Sequence, residues 1–500
     1  MLMFWSPGKR NRRKRSHCFS AARSGSTCHY AKVWDKARWF PSSSSCVTAY
    51  LQSPLAKLMT RCLSLLLLLL PAFPASAAGS SHTVWSSFYG SGAYYLGQAV
   101  AVAQDGSVVL GATYARECAS NCRVHTHGFV LDLAADGSTV LWRKNLPAYI
   151  NALAIDRQGN SVLTGTTTEP TFPIVHAFQR RATGQAAVVA KLSPHGDILF
   201  STYLGGFTTS GSAIAIDTAG NVYVAGSTSG QTLPIVHAVQ PHWGGQLAPN
   251  AYGSDAFIAK FSALGHIIYS TYLGRKKNDE ANGIVADAAG NAYISGWTAS
   301  THFPTVHRLP GTACGGASAF LAQIAPSGGH LLRSTCLSHA GGDFYTHLIL
   351  TSDGSLFLSN NSRRLLRLAH NQLTAFGSIP HAFSVISMAP GPNGSVLLTG
   401  SVPQGDRRTC GREDHSHQCS DAAVSEIGAS GKTLLTVHLG GKADDEAHAV
   451  AAIGSDIVLT GMTASTDFPV QAPVQATNGG IFSEYNSGPV DMFITRVSAP

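Results

Sequence analysis

The chain has 500 residues, of which 44% are hydrophobic and 12% are charged, and its formal net charge is +8. The positive charge is confined to the N-terminal end. Residues 1–61 hold 12 basic residues and one acidic residue, whereas residues 62–500 hold 23 basic and 26 acidic residues, a net charge of −3. This larger part is near neutral, which excludes an electrostatic basis for nucleic-acid binding. It also lacks a sustained 3.6-residue apolar period, which excludes a predominantly helical fold.

Residues 1–58 differ in composition from the rest of the chain. They contain the basic run Lys9–Arg15, a serine run at 42–45 and three cysteines. Such a basic run is typical of a nuclear-localisation or nucleic-acid-binding segment. The alternative is that residues 1–58 are a disordered or mis-assigned N-terminal extension, either untranslated or removed.

Residues 59–77 have the pattern of a secretory signal peptide. Arg61 supplies the charge, Leu63–Leu70 the apolar segment and Ala75–Ala77 the small-residue cleavage site. The apolar run is too short to cross a bilayer, so no membrane span is expected after cleavage. No cysteine follows it, which argues against a lipoprotein anchor. We expect synthesis from Met59, with a long charged region or a processed pro-segment as alternatives, and secretion to the periplasm, cell surface or medium.

The remaining residues, 81–500, repeat one sequence pattern. A turn of the form Asp-x-x-Gly-Asn, or a degenerate version, occurs seven times, and 420 residues divided among seven units gives an average of 60. A period of this size indicates stacked supersecondary units. The turn glycines are Gly106, Gly159, Gly220, Gly290, Gly354, Gly394 and Gly454.

Each unit is predicted to contain four short strands, because runs of β-branched and aromatic residues alternate with Gly, Asn, Asp and Ser. In the third unit these strands are Ala213–Ile216, Val222–Ala225, Ala256–Phe261 and Ile267–Leu273. Four strands per unit and radial repetition predict an all-β fold, a seven-bladed β-propeller of four-stranded blades.

The two ends of the repeat region are predicted to complete one blade together. The last unit has three strands, ending with Met492–Val497, and then the chain stops. Val84–Tyr89 resembles the missing fourth strand, as comparison with Tyr269–Leu273 shows. We therefore expect the N-terminal strand to close the last blade, which removes two exposed sheet edges.

These motifs resemble the bacterial SBBP repeats, a family of seven-bladed β-propellers. The resemblance rests on the Ser-Thr-Tyr-Leu-Gly-Gly strand, the Asp-x-x-Gly-Asn turn, the Gly-x-Thr after the second strand and the segment Phe172–Gln179, which recurs at Leu233–Gln240. It covers the whole exported chain and is weakest in the fifth unit. The family has no general catalytic motif, so the resemblance implies the fold and no activity.

The six cysteines of the repeat region are predicted to form local disulfides, because the protein is expected to be exported and the count is even. The segment Cys410–Cys419 also holds His415 and His417, so a zinc site is the alternative there. The pair His125 and His127 beside two cysteines has the same two interpretations. The predicted pairs are Cys118–Cys122, Cys314–Cys336 and Cys410–Cys419.

Any functional site is expected on one face of the propeller. First-to-second and third-to-fourth connections are tight turns, whereas second-to-third and unit-to-unit connections are long and carry most charges. Binding residues concentrate on loops held by a rigid scaffold, so we place a site on the long-loop face. Carboxylates there are either ligands of a hard cation or solvated turn residues. The candidates are Asp279, Glu280, Asp444, Asp445 and Glu446.

Three histidines, His176, His237 and His307, occupy one repeat position and are interpreted as capping or packing residues rather than as a catalytic triad. No nucleophile elbow, phosphate-binding loop or paired catalytic carboxylate pattern is present, so no catalytic residue and no cofactor is predicted, with calcium or zinc as the exception. The hypotheses are a monomeric, non-catalytic module that binds a protein or cell-envelope glycan, or a lyase or hydrolase, metal-dependent or not, with its site at the channel mouth.

Overall fold

The computed structural model describes residues 81–115, 126–248, 251–310, 312, 314–337, 347–359, 364–380, 382–404, 409–410, 417–482 and 489–498. Within these ranges the protein is all-β, and the single helical turn is a 3-10 turn at Pro392–Gly394. The described residues contain no helix long and apolar enough to cross a membrane.

The described residues form 33 strands, most of them short and antiparallel. The first sixteen are β1 (His82–Tyr89), β2 (Tyr94–Val102), β3 (Val108–Ala115), β4 (Thr126–Leu133), β5 (Val140–Leu146), β6 (Tyr149–Ile155), β7 (Ser161–Thr167), β8 (Gly184–Leu192), β9 (Ile198–Leu204), β10 (Phe207–Ile216), β11 (Val222–Thr228), β12 (Gln246–Ala248), β13 (Ala251–Tyr252), β14 (Asp255–Phe261), β15 (Ile267–Leu273) and β16 (Asp279–Ala286). The others are β17 (Ala292–Thr298), β18 (Ser318–Ile324), β19 (Leu331–Leu337), β20 (His347–Leu350), β21 (Leu356–Ser359), β22 (Arg364–Ala369), β23 (Gln372–Ser378), β24 (Ser384–Pro390), β25 (Val396–Pro403), β26 (Thr409–Cys410), β27 (His417–Gln418), β28 (Ser420–Ile427), β29 (Thr433–Leu439), β30 (Asp445–Ile453), β31 (Asp456–Thr463), β32 (Ile481–Phe482) and β33 (Pro489–Ser498).

Of these strands, 28 group into seven four-stranded antiparallel sheets, which we number in chain order, and the other five are short strands, β12, β13, β26, β27 and β32. Sheet I is β2-β3-β4-β5, sheet II β6-β7-β8-β9, sheet III β10-β11-β14-β15, sheet IV β16-β17-β18-β19, sheet V β20-β21-β22-β23, sheet VI β24-β25-β28-β29 and sheet VII β30-β31-β33-β1. Sheets II and III are joined by a parallel pairing of two residues in β8 and β10. The strands predicted for the third unit all lie within sheet III.

Strand β1 pairs with β33, as the comparison of the two chain ends predicts. Tyr89 lies opposite Met492 and His82 opposite Ser498. The strand is well buried, with Trp85 2% and Phe88 1% exposed. The N-terminal strand is therefore the outer strand of the C-terminal sheet.

The core lies between sheets rather than within them. Buried apolar clusters join sheets I and II, II and III, III and IV, IV and V, V and VI, VI and VII, and also VII and I. Each sheet thus buries both faces against its two neighbours in sequence order, which explains why its strands are apolar along most of their length.

One contact between neighbouring sheets recurs and requires glycine. An aromatic residue of a fourth strand packs on the turn between the third and fourth strands of the next sheet. The turn glycine there has a positive φ, and a Cβ would lie within 3.0 Å of the aromatic residue. This contact links sheet VII to I, I to II, II to III and III to IV. The pairs are Trp85 with Gly137, Trp142 with Gly196, Phe200 with Gly265 and Tyr269 with Gly328.

The disulfide predicted between Cys314 and Cys336 is present, with the two Cα atoms 5.2 Å apart. Cys314 precedes β18 and Cys336 lies near the end of β19, so the bond fastens the long loop of sheet IV to its outer strand. Cys419 is also disulfide-bonded. The side chain of Cys410 and the pair Cys118 and Cys122 lie outside the described residues, so the other two pairings stay predictions.

Candidate functional site

A central cavity of about 710 Å³ is lined by the first strand of every sheet from I to VII. The seven strands meet around this one space. The lining includes one or more residues from each strand, among them Gln98, Asn151, Ser212, Asn282, His347, Met388 and Glu446.

Six of these seven first strands carry a β-bulge at the same place. In each, the register with the second strand shifts by one residue, so that one residue stays unpaired. A bulge re-aims the side chain that it carries, and bulges are frequent beside functional sites. The bulged residues all line the cavity, and five of the six are polar. They are Gln98, Asn151, Ser212, Asn282, Ile386 and His448.

Two bulged side chains fasten their sheet to the next one. Asn151 Nδ2 donates a hydrogen bond to the Gly211 carbonyl oxygen at 2.8 Å, from sheet II to sheet III. His448 Nδ1 lies 3.0 Å from the Gly97 carbonyl oxygen, from sheet VII to sheet I. The same position thus makes the same kind of contact at two junctions between sheets.

His448 and Glu446 lie together in the cavity wall. His448 Nε2 lies 3.2 Å from Glu446 Oε2. Because the Gly97 carbonyl oxygen only accepts, His448 Nδ1 donates the hydrogen bond to it. The hydrogen bond from His448 holds the pKa of Glu446 below its usual range, against the opposing effect of burial. Both ring nitrogens are therefore engaged by protein groups.

His347 contributes a second imidazole to the cavity, from sheet V. Burial lowers the pKa of His347 to about 4, so this ring is neutral at physiological pH. Its Nε2 atom is buried and has no hydrogen-bond partner among the described residues.

The expectation that Asp279 and Asp445 are solvated turn residues is wrong. Each is the first residue of its sheet's first strand and is 0% exposed. Asp279 accepts hydrogen bonds from Ser300 Oγ at 2.8 Å and from Thr298 Oγ1. Asp445 accepts from Ser465 Oγ at 2.8 Å. The hydroxyls at the end of the second strand thus replace water around these carboxylates.

The other candidate ligands are separated in the structure. Asp444 is 4% exposed and accepts a hydrogen bond from the Ser420 backbone amide at 3.1 Å. Glu280 is partly buried, and burial raises its pKa. The described residues contain no group of three or more His, Cys, Asp or Glu that could hold a metal ion. His415 and the side chain of His417 lie outside these residues.

A buried carboxylate pair that the sequence analysis missed flanks Gly274. A Cβ on Gly274 would lie 2.7 Å from both Asp255 Oδ1 and Asp279 Oδ2. Burial raises the pKa of Asp255 to about 7 and that of Asp279 to about 6, and the charge of Asp279 adds to the rise at Asp255. Asp255 Oδ1 has no hydrogen-bond partner among the described residues. The only signal in the sequence is an aspartate that directly precedes a third strand, at Asp255 and again at Asp491.

We expect Asp255→Asn to change how stability depends on pH. The folded protein keeps a proton on Asp255 that the unfolded chain loses between pH about 4 and about 7, so this residue destabilises the fold progressively as the pH rises through that window. Asparagine cannot ionise. The unfolding free energy of the variant, relative to the unchanged protein, should therefore increase from pH 4 to pH 7 and stay constant above it. Urea unfolding at several pH values measures this.

The control for that experiment is Asp136→Asn, at an exposed residue whose pKa is lowered by hydrogen bonds from Ser138. The unfolding free energy of this variant, relative to the unchanged protein, should not increase between pH 4 and pH 7. Parallel stability curves for Asp255→Asn and the unchanged protein would contradict the assignment.

The segment Phe172–Gln179 and its three counterparts, which we call the Phe-Pro segments, have a structural role where they carry histidine. The counterparts begin at Leu233-Pro234, Phe303-Pro304 and Phe468-Pro469. His176, His237 and His307 all adopt positive φ, at 47°, 42° and 47°. His237 Nδ1 lies 3.0 Å from the Ile268 carbonyl oxygen, in the outer strand of its own sheet. Ala472 takes the same conformation in sheet VII. These histidines act locally as capping residues and do not converge.

Three of these four segments end in a glutamine, and that glutamine links three parts of a sheet. Gln240 Nε2 donates to Asp255 Oδ2 at 2.9 Å, and its Oε1 accepts from the Gly274 amide at 3.0 Å. In sheet VII, Gln475 makes the corresponding contacts to Asp491 and to the amide of Gly90, which directly follows β1. The motif thus holds the N-terminal strand in place.

Comparison with known protein families supports the repeat pattern. The model of the SBBP β-propeller repeat matches residues 199–234 and 268–304, which confirms the resemblance in the two most regular repeats. No curated protein matches the chain significantly.

Among solved structures, the chain is similar to a catalytically inactive virginiamycin B lyase from Staphylococcus aureus with quinupristin, at 10% identity over 83% of this chain and 99% of that one, with a TM-score of 0.44. It is similar to a protein of unknown function from Dyadobacter fermentans at 11% identity over 84% and 99%, with a TM-score of 0.45. At these values the likenesses carry no inference about ligand or activity.

Proposed function

We propose that this protein is an exported, non-catalytic binding module, a closed seven-bladed β-propeller that holds its ligand at the mouth of the central channel on the long-loop face. Closure is supported by the cavity that seven first strands line and by the buried cluster between sheets VII and I. It is also supported by the contact of Trp85 with Gly137, which repeats the contact made between later sheets.

Hydrogen bonds on the opposite face support the same ring. Lys191 Nζ lies 3.3 Å from the Ala263 carbonyl oxygen, from sheet II to the turn of sheet III. Arg496 Nη1 donates to the Ala135 carbonyl oxygen at 3.0 Å, from sheet VII to the turn of sheet I. The last sheet therefore bonds to the first as consecutive sheets bond to each other.

The observation that carries the binding function is the ring of bulged polar side chains around the cavity. Amide and hydroxyl groups from Gln98, Asn151, Ser212 and Asn282 converge on one space from four different sheets. Pockets that bind small polar ligands have such a set of convergent hydrogen-bonding groups held by a rigid scaffold. Little of this ring is charged, so it suits a polar ligand recognised by its hydroxyl or amide groups.

The alternative is a propeller lyase or hydrolase, and it is favoured by the presence of Glu446, His448 and His347 in the same cavity. The geometry argues against it. Glu446 has a lowered pKa and is paired, so it is a weak base, and His448 offers no uncommitted nitrogen for proton transfer.

The test is equilibrium binding of the purified chain from residue 79 to a panel of oligosaccharides and peptides, with mass spectrometry of the recovered ligand. We expect a bound ligand that is chemically unchanged, and at least tenfold weaker binding for Asn282→Ala. Leu264→Ala is the matched control, because Leu264 lies 75% exposed in a tight turn of the opposite face. A ligand that is recovered cleaved, with cleavage abolished by Glu446→Gln, would establish the enzyme instead.

A further inference from the structure

Two more cavities adjoin sheet II, and they share lining residues with each other and with the central cavity. Their volumes are about 300 and about 500 Å³, and both are lined by Thr167, Thr168 and Glu169. The smaller one is also lined by Asn151, which lines the central cavity. We call the two cavities together the side cleft. Its lining extends from Asn151, which also lines the central cavity, to Arg180 and Arg181.

The inner part of the side cleft combines an aromatic ring with neutral polar groups. Tyr149 is 45% exposed and lines the cavity beside Asn151, Gln185 and Ser210. An exposed tyrosine offers an apolar face for stacking and a hydroxyl for hydrogen bonding. Asn151 and Ser210 already form hydrogen bonds within the protein. The Tyr149 hydroxyl and the Gln185 amide are the groups of this lining that a hydroxyl-rich ligand would pair with.

The outer part of the side cleft is positively charged. Arg180 and Arg181 are consecutive, exposed and part of the lining, and Glu169 stands between them and the inner part. The lining therefore carries a net charge of +1, although residues 62–500 as a whole carry −3. A guanidinium group binds carboxylate, sulfate or phosphate through two parallel hydrogen bonds, so a pair of arginines favours an anionic group at this end.

We propose that the side cleft binds an acidic oligosaccharide, with its carboxylate, sulfate or phosphate at Arg180 and Arg181 and its uncharged sugar rings over Tyr149 towards the channel. This inference rests on the proposed binding function and names the ligand class. The side cleft favours an oligosaccharide over a single sugar, because Tyr149 and the arginine pair line different cavities, which share Thr167, Thr168 and Glu169.

The experiment measures binding of acidic oligosaccharides and of their neutral counterparts by calorimetry. Oligogalacturonate is compared with its methyl ester, and sulfated and phosphorylated oligosaccharides with their unmodified forms. Polyglutamate and inorganic phosphate serve as a peptide and a simple anion. We expect at least one acidic oligosaccharide to bind ten times more tightly than its neutral form, and more weakly as salt is added.

The variants separate the side cleft from general charge attraction. Arg180→Ala with Arg181→Ala should weaken binding at least tenfold. Lys276→Ala with Lys277→Ala removes the same charge from exposed residues in the connection from sheet III to sheet IV, and should change binding less than twofold. Tyr149→Ala should weaken binding about tenfold, whereas Tyr149→Phe keeps the ring and should retain most of the affinity.

Equal binding of acidic and neutral forms would overturn the proposal, and so would equal losses in the arginine and lysine pairs. Binding of polyglutamate as tight as that of the best oligosaccharide would assign the cleft to a protein partner. If a neutral oligosaccharide binds and Asn282→Ala abolishes its binding, the acidic-ligand proposal fails while the binding function stands. If no member of either panel binds, both fail.

Discussion

A chain that begins at residue 91 should aggregate or lose cooperative unfolding, whereas one that begins at residue 79 should be soluble and melt in one transition. The shorter chain lacks β1 and leaves the edge of β33 unpaired along most of its length. An unpaired edge is a template for association with other chains. The deletion also removes the buried side chains of Trp85 and Phe88 from the clusters that sheet VII shares with its neighbours. Light scattering and thermal unfolding measure the two effects.

Adding the deleted strand back at the other end provides the control. Because His82 lies opposite Ser498, residues 81–90 attached after residue 498 through a two-residue turn would form a hairpin with β33. This rearranged chain should recover solubility and cooperative melting. A point variant separates the contribution of side-chain packing from that of strand pairing. Phe88→Ala keeps the pairing of β1 with β33 and should lower the unfolding free energy by about 3–5 kcal/mol. A chain starting at residue 91 that is as soluble and stable as the longer one would refute the assignment of β1.

Removing the bond between Cys314 and Cys336 should lower the unfolding free energy by about 3 kcal/mol. The bond closes a loop with a sequence separation of 22, and in the chain-entropy model a loop of this size is stabilised by about that amount. Cys336 is also 0% exposed and belongs to the cluster between sheets III and IV. Urea unfolding of Cys314→Ala under oxidising conditions measures the loss.

A double-mutant cycle shows whether the loss belongs to the bond. The variants Cys314→Ala and Cys336→Ala should each lose nearly the full amount, and the double variant should lose little more than either. Additive losses would mean that the two side chains contribute by packing alone. Cys419 is disulfide-bonded as well, so adding a reductant to the unchanged protein does not isolate the Cys314 bond.

The strands of sheet III were predictable because their signals are local. Ile267–Leu273 coincides with β15, and the Gly-Asn turn before Val222 fixes where β11 begins. The pairing of β1 with β33 was also predictable, since both ends of the chain carry part of one repeated unit. The strands of sheet III and the pairing of β1 with β33 can therefore be predicted from local composition and repetition, because neither depends on how the sheets pack.

The candidate site was less predictable because it depends on contacts across the sheet. Asp279 precedes a predicted first strand, where a carboxylate is expected to be a cation ligand or a solvated turn residue. Its partners Thr298 and Ser300 lie 19 and 21 residues later across a hairpin. The bulges that place Asn282 and its counterparts in the cavity are properties of register, which appears only when two strands are paired. Polar residues at one position of several first strands were the available signal.

The pairing of β1 with β33 sets an order of events during synthesis. The first strand of the domain is made hundreds of residues before its partner, and its apolar face has no neighbour until the last strand emerges. Sheets I to VI can form as they are completed, whereas joining of the two ends must come last. Until then the apolar face of β1 stays exposed. Any delay in synthesis of the C-terminal residues therefore prolongs the period in which misassembly competes with folding.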